Sequence, residues 1–209
     1  MPIVAEVRSL VLSEWRLKIT RGFVLLVCFC VPYFALQRVE LFPVRTLPLT
    51  SVDLAIAFDP GWVWAYQSGY LLIIAVPWLL KTTADVSRYV RGFVLISCIG
   101  FVCFLLLPIE GPRPDVLPST GMFAWLATYD RPTNELPSLH VGLLTYTMLV
   151  AAWVSRARMP SLRRACVLSM AAAWAVCVAY AALATKQHYA LDVPAGALVG
   201  WIGYRWSWT

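Results

Sequence analysis

Six stretches of the chain are apolar enough and long enough to be read as membrane spans, separated by short polar segments that carry most of the charge. A bilayer core about 30 Å thick needs around 20 apolar residues at a helical rise of 1.5 Å each. The candidates are Gly22–Leu36, bounded by Arg21 and Arg38; Trp62–Leu80, which contains Pro77; Gly92–Ile109, ended by Pro108; Ser138–Val154; Ala165–Thr185; and His188–Trp208. The first is short and follows Arg16, Lys18 and Arg21, as a signal peptide would. No small-residue cleavage site comes after it, so the sequence predicts an anchoring helix. Between the spans lie two long connections. Gln37–Gly61 carries Pro43, Pro48 and Pro60, and Glu110–Pro137 carries Pro112, Pro114, Pro118 and Pro132. Neither has the composition of a flexible linker, and connections of this length are usually functional.

Composition agrees with this pattern. The 209 residues are 60% hydrophobic and only 13% charged, and the mean hydropathy is +0.71. Soluble domains carry about a quarter charged residues. The sequence therefore predicts an all-α polytopic membrane protein, a single domain over residues 1–209 with six transmembrane helices. The six cysteines, Cys28, Cys30, Cys98, Cys103, Cys166 and Cys177, fall in or beside apolar runs without a Cys-x-x-Cys spacing. They read as small core residues rather than a disulfide frame or metal site.

The net charge of +6 is first a topology signal. With the N-terminus in the cytoplasm, the inner segments hold Arg8, Arg16, Lys18, Arg21, Lys81, Arg88, Arg91, Arg156, Arg158, Arg163, Arg164 and Arg205. The outer ones hold Arg38, Arg45, Arg113, Arg131 and Lys186. Cytoplasmic loops carry the excess of lysine and arginine, so both termini are expected in the cytoplasm. Little basic excess is left for nucleic acid, and no nucleic-acid partner is expected.

On this topology both histidines, Asp192 and two of the cations gather at the outer face. The only two histidines, His140 and His188, sit at the outer ends of spans four and six. Asp192 follows His188 by four residues, so on one helix the two share a face. Arg113, Ser138 and Lys186 lie on the same side. Taken singly, each has an ordinary reading: a polar anchor, a self-satisfied pair, a solvated loop residue. Their convergence on one membrane face favours a site, because an ionisable group inside a membrane helix is costly.

Such a group suits phosphoryl transfer. An imidazole oriented by a carboxylate is a good nucleophile, a second histidine can protonate the leaving oxygen, and cations offset phosphoryl charge. The start of span four, with Pro137 in its first turn, offers free backbone N–H groups to an anion. No clustered carboxylates or Cys/His spacings suggest a metal, so the expected mechanism uses no metal and no cofactor. A channel or transporter with Arg113, His188 and Asp192 along a polar path is the alternative of another class; polar residues confined to one face argue against it.

At these residues the sequence resembles the type-2 phosphatidic acid phosphatase superfamily, six-span lipid phosphatases and phosphotransferases with three motifs. Pro137-Ser138-Leu139-His140 stands for the second, Pro-Ser-Gly-His. The segment His188-Tyr189-Ala190-Leu191-Asp192 keeps the His-x3-Asp of the third. The first, Lys-x6-Arg-Pro, is reduced to Arg113-Pro114, with Leu106 at its lysine position, and the arginine of the third falls on Ala182. The Leu139 variant and the His-Tyr-x-x-Asp-Val run look more like the inositol phosphorylceramide synthase and sphingomyelin synthase branch. The motif region covers about residues 113–201. The resemblance implies a phosphorylated lipid as substrate, His188 as nucleophile, Asp192 orienting it and His140 as general acid. Arg113 and Ser138 would hold the phosphate, and Lys186, on the same side, is the candidate to stand in for the missing arginine. The active site would face the periplasm, lumen or exterior. Hydrolysis ranks ahead of transfer to a second lipid, since a compact chain offers less material for an acceptor pocket and a surface site admits water.

Overall fold

The computed structural model describes residues 2–156 and 158–209. It is almost wholly helical: α1 (Pro2–Leu12), α2 (Trp15–Leu36), α3 (Ser51–Ala55), α4 (Val63–Ala75), α5 (Thr83–Leu106), α6 (Gly121–Tyr129), α7 (Leu139–Arg156), α8 (Ser161–Ala184) and α9 (Asp192–Trp208). A 3-10 turn, Val76–Leu79, extends α4 past Pro77. Each of the six predicted spans overlaps one helical segment, with Ile109 and His188 falling outside the helices. Three of these, α2, α5 and α8, are long and apolar enough to cross a membrane by length and composition.

Burial divides the helices into a centre and a periphery. Helix α7 is buried along most of its length, with Leu143, Tyr146 and Val150 packed against Tyr89 and Ile96 of α5 and Val199 of α9. In α2 the buried residue is Lys18, and α8 buries only Val178, Ala181, Ala182 and Ala184 near its C-terminal end. Apolar side chains that face outward on these helices, such as Phe23, Leu26, Val31, Met170 and Val176, suit contact with lipid tails. The cysteines follow the same division and correct the expectation of core positions. Cys28, Cys98 and Cys166 are exposed, the other three are half-buried, and all six are free.

Helices α7 and α9 touch backbone to backbone. A Cβ at Gly196 would fall on the carbonyl oxygen of Ser138, and one at Gly200 on that of Gly142. Small residues four apart permit this approach, so the Gly196-x3-Gly200 pair serves an internal contact. It sets the start of α9 beside the start of α7.

The two long connections fold over this end of the bundle. Arg45–Thr46 and Ile109–Glu110 form a two-residue parallel pair, and Ile109 bridges Asn134. Asp53 ties the first connection to the turn before α9: its Oδ1 accepts from Ala190 N–H at 2.7 Å, while Oδ2 accepts from Thr50 N–H at 2.8 Å.

Candidate active site

His188 is not on a helix, contrary to the sixth span read from the sequence. Helix α8 stops at Ala184 and α9 starts at Asp192, because Thr185 turns its hydroxyl back onto Ala181 O and Lys186 takes a left-handed backbone at φ 52°. The turn between them is clamped from several sides. His188 N–H donates to Ala182 O at 3.3 Å, Tyr189 N–H to Asp192 Oδ2 at 2.8 Å and Tyr189 Oη to Glu110 O at 2.9 Å. Asp192 therefore reaches His188 from a helix N-terminus, with its Oδ2 3.4 Å from Nδ1.

Helix α7 begins at Leu139, so Pro137 precedes its first turn instead of occupying it. Ser138 Oγ accepts from Val141 N–H at 3.3 Å, as an N-cap side chain does. Ser138 N–H donates to Asp192 O at 3.3 Å. His140, two residues past that cap, is stacked on Tyr66 with ring centroids 4.4 Å apart and meets Tyr70 edge-on at 4.5 Å. Both tyrosines come from α4. Gly69 of the same helix leaves no room for a side chain: a Cβ there would lie 2.6 Å from His140 Nε2.

Arg113 enters from the second connection. Its guanidinium donates to Asp130 O at 2.5 Å and to Gln187 Oε1 at 2.6 Å, and lies 3.4 Å from the Asp130 carboxylate. Asp130 is fixed in turn by Tyr33 Oη at 3.0 Å and Gln37 Nε2 at 2.6 Å. Lys186 sits differently from the phosphate-binding position expected of it. Its ammonium donates to Asp53 O at 2.7 Å and Ile56 O at 2.6 Å, which fastens the His188 turn to the first connection.

The structure thus brings His140, His188, Asp192, Ser138 and Arg113 to one place. His140 and His188 line a single cavity of about 20 Å³ together with Tyr33, Tyr66, Tyr70 and Asn134. Among the described residues, the buried side-chain polar atoms without a hydrogen-bond partner are Arg113 Nε, Thr133 Oγ1, both ring nitrogens of His140, Gln187 Nε2, His188 Nδ1 and Asp192 Oδ1. Every one belongs to this site or to the connection over it. Native interiors leave few such groups, and here they are concentrated where donors converge.

Sequence reasoning missed Glu135. It is 5% exposed, and its Oε2 lies 3.1 Å from His188 Nδ1, nearer than Asp192. Gly111 makes room for it, since a Cβ there would stand 2.8 Å from Glu135 Oε1. The expectation that no carboxylates cluster is corrected: ligand atoms of Glu135, His188 and Asp192 lie within 4.8 Å of one another. The separations from Nδ1 are those of ion pairs. Burial pulls the His188 imidazole down, but the Glu135 and Asp192 carboxylates outweigh it and push it up to about 10. Burial likewise raises Glu135 above the usual carboxylate range, against the opposing pull of His188 and Arg113. Both shifts have one meaning: Glu135 and the His188 imidazole keep hold of a proton between them.

Beside the histidines runs a groove of about 810 Å³, walled by α2, α4, α5, α6 and α7. It extends from Asp130 and Arg38 at the histidine end to Lys18 and Trp78 at the other. From Lys18 to Phe34 along α2 is about 24 Å at 1.5 Å per residue. Its walls are nearly all aromatic and aliphatic, among them Phe29, Ile73, Phe93 and Leu143. Tyr33, Tyr66 and Tyr70 belong both to it and to the histidine cavity.

Paired buried histidines, a half-buried arginine and an apolar groove beside them are features that suit phosphoryl transfer. The chain belongs to the PAP2 superfamily, whose family model matches residues 87–209. That region holds α5 to α9 and every motif residue; α2 and α4, which complete the groove and flank His140, precede it. Comparison with curated proteins and with solved structures gives no match.

Proposed function

We propose that this protein is an integral membrane phosphatase that hydrolyses a phosphorylated lipid at the outer leaflet through a phosphohistidine. The observation that carries the reading is the set of unpartnered buried polar atoms around the two histidines. Arg113 Nε and Gln187 Nε2 are donors, and His140 can become one. A phosphate gives them acceptors, and charge-assisted bonds of this kind are the strong ones. The groove supports a lipid, because an apolar channel spanning most of a membrane thickness suits a hydrocarbon tail whose phosphate sits at the histidine end. The proposed topology has six spans and cytoplasmic termini.

The chemistry follows from the two ends of each ring. Carboxylates occupy the Nδ1 side of His188, which leaves Nε2 for phosphorus. Nε2 attacks, the Nε2–P bond forms and the P–O bond to the lipid alcohol breaks. The departing oxygen takes its proton from His140, whose ring is charged only while the phosphate supplies a counterion, since an unpaired buried imidazolium is costly. Water then attacks phosphorus, gives its proton back to His140 and returns the lone pair to Nε2. Ser138, with its side chain on the cap of α7, sets the position of that helix start and the backbone N–H groups near the phosphate. The pathway needs no metal: Arg113, Gln187 and His140 provide the donors, and the Glu135–His188–Asp192 group lies on the far side of the nucleophilic ring.

The burial of both histidines, 5% and 6% exposed, favours a second reading in which a lipid hydroxyl replaces water. Transfer requires water to be excluded while the acceptor is aligned. The deciding experiment supplies purified protein with a panel of lipid phosphates and candidate acceptor alcohols, then compares free phosphate with phosphorylated acceptor. Rising phosphate that no acceptor changes supports hydrolysis. Stoichiometric acceptor product with negligible free phosphate reverses the ranking, and no turnover of any lipid phosphate overturns both.

A further inference from the structure

His188 Nδ1 has one hydrogen position and two carboxylates facing it. Asp192 Oδ2 is 3.4 Å away and already accepts Tyr189 N–H at 2.8 Å. Glu135 Oε2 is nearer, at 3.1 Å, and neither contact has the geometry of a near-linear hydrogen bond. One carboxylate is enough to fix a tautomer. The second has an electrostatic consequence. When Nε2 carries the phosphoryl group and Nδ1 keeps its proton, the ring is a cation buried away from water, and a single aspartate shared with a backbone N–H balances it incompletely.

We infer that Glu135 is a positioning residue of the phosphohistidine step, a second anion that holds the Nδ1 proton and balances the charge of the phosphorylated ring. This rests on the phosphohistidine reading above. Geometry supports it from both sides: Gly111 is the residue that lets the Glu135 carboxylate approach, and Glu135 itself stands five residues before His140, where the connection enters α7. The charged and titratable groups around His188 are few. Glu135 comes from the connection, Asp192 from α9, and His140 from α7 across the shared cavity. Tyr66 comes from α4, with its ring centroid 6.5 Å away, and Arg113 acts through Gln187. Glu135 and Asp192 are the anions among them, so removing Glu135 lowers the proton affinity of His188. The imidazole attacks only when neutral, so activity falls as pH drops below its pKa.

The test measures kcat/KM against pH for wild type, Glu135→Gln, Glu135→Asp and His188→Ala, with phosphoenzyme trapped in alkali from a ³²P-labelled lipid phosphate. The expected result is that the limb set by His188 moves to lower pH in Glu135→Gln by about one unit or more, a tenfold change in proton affinity. Trapped phosphoenzyme falls several-fold, and Glu135→Asp moves both back toward wild type. A Glu135→Gln profile with the wild-type limb, or a uniform loss that Glu135→Asp does not rescue, makes Glu135 merely structural and overturns the inference alone. Activity in His188→Ala overturns the phosphohistidine reading and the inference with it.

Discussion

Replacing Gly69 by alanine tests the role of His140 without touching an ionisable group. The new Cβ would stand 2.6 Å from His140 Nε2, 3.2 Å from its Cε1 and 3.1 Å from Val178 Cγ1. Ordinary contact begins near 3.4 Å, so ring or helix must give by about 0.8 Å. The ring has little freedom, with Tyr66 stacked on one face at 4.4 Å and Tyr70 edge-on at 4.5 Å. Overpacking of this kind costs about 1–3 kcal/mol of stability, and a misplacement near 1 Å costs about 10²-fold in rate. The assay compares kcat on an alkyl phosphate with kcat on an activated aryl phosphate, whose departing oxygen needs less protonation. Gly69→Ala is expected to lose about 10²-fold on the alkyl ester and to keep aryl turnover within a few-fold. Equal losses on both would refute His140 as the acid, and no loss on either would refute the tight fit of α4 against it.

Two further outcomes follow. Val116, 83% exposed in the second connection, is expected to react with a membrane-impermeant maleimide on intact cells when changed to cysteine in a background without the six native ones; reaction only after permeabilisation would invert the topology. Turnover is expected to persist in excess EDTA, and loss of activity restored by a divalent ion would recast Glu135, His188 and Asp192 as metal ligands.

The apolar runs were legible because a helix in lipid satisfies its own backbone, so length and hydropathy alone delimit it. That same environment misled the reading of the cysteines. In water an apolar face points inward, whereas the outward faces of α2 and α8 are apolar too, and Cys28 and Cys166 are exposed on them. The motif residues His140, His188, Asp192 and Arg113 were found from residue type and spacing, and they converge in the structure. Their partners were not found. Glu135 meets His188 across 53 residues of chain, Tyr66 meets His140 across 74, and Asp130 meets Tyr33 across 97. No local pattern marks such pairs. Lys186 shows the converse: its charge and outer position suggested a stand-in for the arginine missing at Ala182, yet in the left-handed turn that stops α8 its ammonium donates to the Asp53 and Ile56 carbonyls.

The groove changes the balance between water and a lipid acceptor. From sequence, compactness argued for hydrolysis, since six helices with modest connections leave little material for a second pocket. The groove is about 810 Å³, within the ~300–1,000 Å³ of ordinary ligand sites, and its walls come from helices already present in the bundle. Space for hydrocarbon is therefore not scarce, and compactness no longer separates the two reactions. Access does. Tyr33, Tyr66 and Tyr70 stand between the groove and the histidines, and the folded connections cover the opposite side. Any lipid headgroup reaching His188 from the groove, the substrate's as well as an acceptor's, has to pass the tyrosines. Hydrolysis is proposed ahead of transfer because only one lipid then has to pass that wall, and the tyrosine wall is the part of the site whose opening would admit an acceptor.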